Sequence, residues 1–337
     1  MNVTRQLAQY ITEIRYNDFN NEVIEKAKGL ILDQLGCQLA FANMPWSKGI
    51  YQYVCSKKYV GGESTVTYYG LKTSAEDAAF ANATFGHGFE MDDAESLTAS
   101  HPGVVVIPPA LAIGEQQTIS GKDFITAIIA GYDIMLRIGL ASRIMMSRGF
   151  DTTPTNGTFG ATAAVGKILK FNPDIMLNAL AIAADLSCGT SEFSNAGGSV
   201  KRLHAGFPAQ AGIKAALLAQ YGISGPLTAI EGKRGFCQAF AGVNEVDEIT
   251  TGLGKDYKIM LTGNKPYCCC AAQHTVIDAT DKISKEHAIE PDNVAEIIVE
   301  QRPREVGAVG AIVETPDIVS AQFSGRFGVA LRLVKGS

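Results

Sequence analysis

Residues 86–109, GHGFEMDDAESLTASHPGVVVIPP, hold two of the chain's five histidines, His87 and His101, and four acids, Glu90, Asp92, Asp93 and Glu95. Imidazole and carboxylate groups at this density can move protons near neutral pH. His101, held directly before a Pro-Gly turn, is the candidate general acid or base, and Glu90, Asp92 and Asp93 could orient its ring or bias its charge. The same residues also read as a solvated acidic loop whose histidines cap neighbouring helices, with at least one acid on a wet surface. Spacing alone leaves both readings open, and His87 reads best as a structural group at a helix end.

Two further groups carry chemical potential. Lys201, Arg202 and His204 cluster at a helix start, where backbone N–H groups also favour anions. They suit a substrate carboxylate, which an arginine can grip with two parallel hydrogen bonds, although an exposed basic helix end has the same pattern. Tyr267 stands between Pro266 and Cys268-Cys269-Cys270. Its phenol could pass a proton, or could be a buried tyrosine with one hydrogen bond. Three adjacent cysteines lack the intervening residues that zinc sites use, and no CxxC, HExxH, Walker A or Rossmann glycine pattern occurs. Neither a metal nor a cofactor is therefore expected.

The elements that must position these groups read mainly as helices. Apolar residues at helical spacing run over 20–40. Residues 64–70, STVTYYG, are β-prone after Gly61-Gly62. Ser74 opens an Ala-rich helix that ends near Gly86 and delivers the chain into the acidic stretch. A helix over 110–116 follows Pro108-Pro109. Ser120 with Asp123 caps a long apolar helix whose Gly131 and Gly139 suggest a close neighbour. After a loop over 148–156, Gly157 opens the next helix, and Asn172-Pro-Asp caps another that ends near Cys188. A loop over 189–199, a helix to Gly222 and a short helix from Gly225 complete an all-helical region. The character changes near Leu261, where a helix with His274 and Asp278, a strand over 295–299 and a helix from Asp317 or Ser320 predict a mixed second domain. One strand cannot make a sheet, so that domain reads as unfinished. The expected architecture is mainly α, with an all-helical domain over 1–264 and a smaller, incomplete α+β lid over 265–337.

Bulk properties narrow the function classes. Hydrophobic residues make up 46% of the 337 positions and charged ones 19%, which suits two compact domains rather than a disordered chain. A net charge of −5 supplies no basic field for nucleic acid or anionic lipid. The start lacks a signal-peptide pattern, and the apolar runs are too short or interrupted to span a bilayer. Seven cysteines without framework spacing suit a reducing cytoplasm.

Taken in order, GHGFEMDD…SHPG, GTFGATAAVGKIL, KRLHAGFPAQAG, EGKRGF and KPYCCCAAQH resemble the MmgE/PrpD family, which includes 2-methylcitrate dehydratases, cis-aconitate decarboxylases and iminodisuccinate epimerases. The resemblance implies a large helical domain and a small lid with the site between them, usually in a homodimer, and further residues after Ser337. It also implies that His101, Lys201 and Tyr267 line the site. Glu90 stands where the family's D-x-D-D block has its first Asp, with Ala94 where a Thr is common. Asp151 stands where dehydratase-like and decarboxylase-like members often carry a histidine, and a carboxylate there cannot act as an imidazolium. The implied activity is a cofactor-free lyase on a small di- or tricarboxylate. His101 would be the acid or base, Tyr267 or Asp151 would work on the opposite face, and Glu90, Asp93, Lys201, Arg202 and His204 would hold substrate. An epimerase using the same first proton abstraction and a non-catalytic family remnant are the alternatives.

Overall fold

The computed structural model describes residues 2–244 and 246–336. Contacts divide the chain into two compact units. One comprises Met1–Gly88, Asp92–Thr190 and Arg202–Asn264; the other comprises Phe89–Met91, Ser191–Lys201 and Lys265–Ser337. Mainly α describes the fold, and the one sheet among the described residues is a small antiparallel hairpin, β1 (Ser64–Val66) with β2 (Leu71–Thr73).

The first unit contains α1 (Val3–Glu13), α2 (Asn21–Phe41), α3 (Pro45–Ser56), α4 (Ala75–Gly86), α5 (Pro102–Gln117), α6 (Gly121–Ser142), α7 (Thr152–Ile168), α8 (Pro173–Leu186) and α10 (Leu203–Gln220). Local chemistry starts most of them. The side chains of Asn20, Ser74, Ser120 and Asn172 each accept a hydrogen bond from a backbone N–H in the first turn of the helix that follows. Helix α5 packs against α4, α6, α7 and α10, and residues 104–110 are fully enclosed. That enclosure explains a departure from the sequence reading: Pro108 and Pro109 lie inside α5 rather than before it. Each proline removes one helical hydrogen bond, yet apolar packing on all sides keeps the helix continuous.

Helices α6 and α7 cross through glycines. A Cβ on Gly131 would meet Val106 Cγ1 at 2.5 Å and the Gly160 carbonyl oxygen at 2.8 Å, and one on Gly160 would meet the Gly131 carbonyl oxygen at 2.9 Å. Backbone pressed on backbone cannot yield to a methyl group. Gly131→Ala is therefore expected to lower stability by about 1–3 kcal/mol from overpacking, even though alanine is the better helix former by about 1 kcal/mol. A thermal midpoint equal to that of the parent protein would show that the crossing has slack. The segment Gly121–Arg148 is long and apolar enough to cross a membrane, but 83% of its most apolar window is buried in the protein.

Other differences from the sequence reading have local causes. Helix α7 begins at Thr152, not Gly157, because Asp151 caps it by accepting from Thr153 N. The short helix expected from Gly225 is replaced by turns, followed by a π-helical turn at Cys237–Ala241.

The second unit contains α9 (Phe193–Ala196), α11 (His274–His287), α12 (Pro303–Val309), α13 (Ile318–Phe323) and α14 (Gly325–Lys335). Phe193, Ile312, Val319 and Phe323 form its small core. The strand expected over 295–299 is not formed: these residues are neither helix nor strand, and the Ile298 side chain is largely exposed. A β-prone run needs a partner to satisfy its backbone, and none lies beside it among the described residues. The last expected helix is broken at Ser324, whose hydroxyl caps α14.

Candidate active site

Helix α4 ends at His87, and the next residues fold back inside the protein instead of into solvent. Glu90, Asp92, Asp93 and Glu95 are all buried, which excludes the solvated-loop reading. Glu95 knits the loop together: its carboxylate accepts from Leu97 N, Thr98 N and the Thr98 hydroxyl, while its backbone pairs with Ser100. A buried loop must satisfy its own polar groups, and this acid does so.

Asp92 is the centre of the first cluster. One of its oxygens, Oδ2, lies 2.9 Å from His87 Nδ1 and 3.0 Å from His101 Nδ1. The His101 Nδ1 also lies 2.9 Å from the Asp93 carbonyl oxygen. Burial alone would raise the Asp92 carboxyl, but the adjacent His87 and His101 bring it well below the usual carboxylate range. Asp92 thus stays ionised, and both imidazoles present Nδ1–H to oxygen acceptors. Their other nitrogens, Nε2, are the ones that can take or give a proton. The donor atoms of these three residues lie within 4.8 Å of one another, a spacing that a metal ion could also use. The two N···O separations are ordinary hydrogen-bond lengths.

Asp93 behaves in the opposite way. Its Oδ1 accepts from Gly103 N at 2.9 Å and its Oδ2 from the Tyr132 hydroxyl at 2.7 Å. Burial nevertheless pushes its carboxyl up to about 7, helped by the neighbouring Asp92 and Asp33. Gly103 is required here, since a Cβ would stand 2.8 Å from the Tyr132 hydroxyl and 2.9 Å from Asp93 Oδ1. The folded protein thus favours protonated Asp93. The stability from this group is fully present below the unfolded value near 4 and is lost as pH rises towards about 7. At 1.36 kcal/mol per pH unit the full span corresponds to about 4 kcal/mol. Asp93→Asn is expected to flatten that decline in urea unfolding series between pH 4 and 8. Equal slopes for variant and parent would mean that Asp93 folds ionised.

A second carboxylate–imidazole pair lies in the same unit. Asp151 Oδ2 is 2.7 Å from His204 Nδ1, while its Oδ1 accepts from Thr153 N at 2.9 Å. Both residues are buried. The first turn of α7 also grips the His101 loop: Thr153 Oγ1 accepts from His101 N at 3.2 Å, and Thr152 Oγ1 donates to the Ala99 carbonyl at 3.0 Å. Arg202 is fully buried, donates to the His87 carbonyl at 3.2 Å and lies over the Trp46 ring. This bond ties Arg202 to the end of α4.

In the second unit, Glu90 stands between two lysines. Its carboxylate lies 3.0 Å from Lys265 Nζ and 3.5 Å from Lys201 Nζ, and its carbonyl accepts from Lys265 at 3.1 Å. All three side chains are buried, and Glu90 holds a left-handed φ of 55°. Lys265 has no signal in the sequence beyond its place in the KPYCCC block, because its partner is 175 residues away. Tyr267 is turned elsewhere and donates to Asp278 at 2.6 Å. That hydrogen bond, followed by burial, raises its phenol. Burial likewise pushes Cys269 up to about 12 and raises Cys270, so neither is an activated thiol.

The model of the MmgE/PrpD N-terminal domain matches residues 5–249. The chain belongs to the MmgE/PrpD family. A cis-aconitate decarboxylase of Aspergillus terreus is 31% identical over 299 residues, covering 85% of this chain and 61% of the relative. A cis-aconitate decarboxylase-like protein of Aspergillus oryzae is 30% identical, covering 87% of this chain and 63% of the relative. The human cis-aconitate decarboxylase is 29% identical, covering 71% of this chain and 50% of the relative. This MmgE/PrpD chain therefore spans about three fifths of the length of the two fungal relatives.

Proposed function

We propose that this MmgE/PrpD protein is a lyase for a small di- or tricarboxylate, with decarboxylation of a cis-aconitate-like acid as its leading activity. The observation that carries the reading is His101, oriented through Nδ1 by an ionised, buried Asp92. An imidazole held in this way delivers or removes a proton at Nε2. When CO2 leaves a carboxylate, the bonding electron pair stays on carbon and is delocalised towards a neighbouring carboxylate. A proton must then arrive, and His101 can bring it. Within the second unit, Lys201 and Lys265, offset by one glutamate, leave a net positive charge that suits an anionic group such as a carboxylate. The names of the relatives support decarboxylation over dehydration. The proposed chemistry needs only side chains, without a cofactor.

The Asp151–His204 pair favours a second reading, an epimerase. Two separately held imidazoles are the equipment for taking a proton from one face of a carbon and returning it to the other. Incubation of the full-length protein with cis-aconitate, citrate, 2-methylcitrate or iminodisuccinate in D2O tests both, with CO2 release and proton exchange followed by NMR. Release of CO2 from cis-aconitate is the expected result. Exchange without net loss supports the epimerase, and an inert protein overturns both.

A further inference from the structure

We propose that His204 is a second proton-transfer residue and that Asp151 is its positioning residue, so that an aspartate–imidazole pair stands where the family resemblance leads one to expect a histidine. The inference rests on the proposed carboxylate chemistry and replaces the part that the family resemblance implied for His204, holding a carboxylate, by donating a proton.

The geometry argues for this in three steps. Both oxygens of Asp151 are engaged, Oδ1 by Thr153 N and Oδ2 by His204 Nδ1. The carboxylate is thereby fixed to the start of α7 and fixes the ring in turn. Nδ1 carries the shared proton, which makes Nε2 the nitrogen that exchanges with other groups. His101 is held in the same way by Asp92, and Thr152 and Thr153 tie the two arrangements together through Ala99 and His101. A residue meant only to attract a carboxylate would gain little from a carboxylate of its own at 2.7 Å, since that neighbour repels the ligand.

In the proposed step, protonated His204, in place of His101, faces the carbon on which an electron pair has been left by departing CO2, while His101 donates a hydrogen bond to the enolate-like oxygen. In the epimerase reading His101 removes the proton and His204 returns one. The Nε2–H bond breaks and a C–H bond forms. His204 ends neutral, Asp151 remains ionised throughout, and a solvent proton restores the imidazolium.

The test compares His204→Gln, His204→Ala and Asp151→Asn in the full-length protein, with cis-aconitate as substrate and CO2 release and deuterium uptake as readouts. His204→Gln is expected to lower kcat by about 10²–10⁴-fold with KM within about threefold. Free imidazole should restore part of the His204→Ala activity and none of the Asp151→Asn activity, where the native ring still fills its place. A rise in KM with kcat intact would return His204 to carboxylate binding and overturn the proposal, as would kcat within about threefold of the parent. Should the variants fail to fold, 15N-histidine NMR of the parent decides. A protonated Nδ1 bonded to carboxylate is expected, and the opposite tautomer overturns the inference. A parent protein without turnover or exchange on any of the four acids overturns the function reading and this inference together. An active parent with an unaffected His204→Gln overturns the inference alone.

Discussion

His101→Ala in the full-length protein is expected to reduce carboxylate turnover by about 10²–10⁴-fold, the usual loss when a positioned acid or base is removed. The size of the effect follows from how completely the ring is held. Its Nδ1 faces both Asp92 and the Asp93 carbonyl, and its backbone N–H is bonded to Thr153, so the ring is fixed in one orientation. Little folding energy should be lost, because Asp92 keeps His87 as a partner at 2.9 Å. Turnover and thermal midpoint should therefore separate, the first collapsing and the second moving little. Turnover unchanged by the substitution would sink the mechanism. An equal fall in both would show that His101 acts through the fold.

Arg137→Ala is expected to have the largest effect on stability, a loss of about 3–5 kcal/mol. Against a typical total of about 5–15 kcal/mol, that is enough to leave the protein partly unfolded at ambient temperature. Arg137 is fully buried on α6 and donates from Nε to Asp133 at 2.8 Å. Its two remaining nitrogens donate to the carbonyls of Ile249, Thr251, Gly252 and Asp256. One guanidinium thus anchors a whole loop that has few apolar side chains of its own. Its removal leaves the buried Asp133 carboxylate, already raised by burial, with the Lys258 N–H but without its guanidinium, and takes a donor from four carbonyls. Urea unfolding should show a lower midpoint for Arg137→Ala. Joint replacement of Asp133 and Arg137 by leucine and methionine should lose less than the single change, because no buried charge is then left alone. A midpoint unchanged in Arg137→Ala would mean that water reaches this cluster.

Some of these groups are legible in the sequence and others are not. Asn20, Ser74, Ser120 and Asn172 read as helix starts because each interaction closes within three residues. Gly131 is legible as a close approach, since a glycine inside an apolar helix is unfavourable unless something presses on it. Asp133 and Arg137, four residues apart within an apolar helix, carry the same kind of clue, because two charges there must find each other. Lys265 carries none, and the more conspicuous Tyr267 beside it turns out to face Asp278.

Helix content, the MmgE/PrpD motifs and the choice of His101 all follow from residue order, because periodicity, caps and short motifs are local properties of the chain. Whether the acids of residues 86–109 face water does not, for burial is decided by what packs over them. The same holds for the pairing of Asp151 with His204 across 53 positions and of Glu90 with Lys265 across 175. Opposite charges in a chain of this length have many possible partners. Only the packing of the helices that carry them selects one. The partners of the residues around His101 are set by that packing.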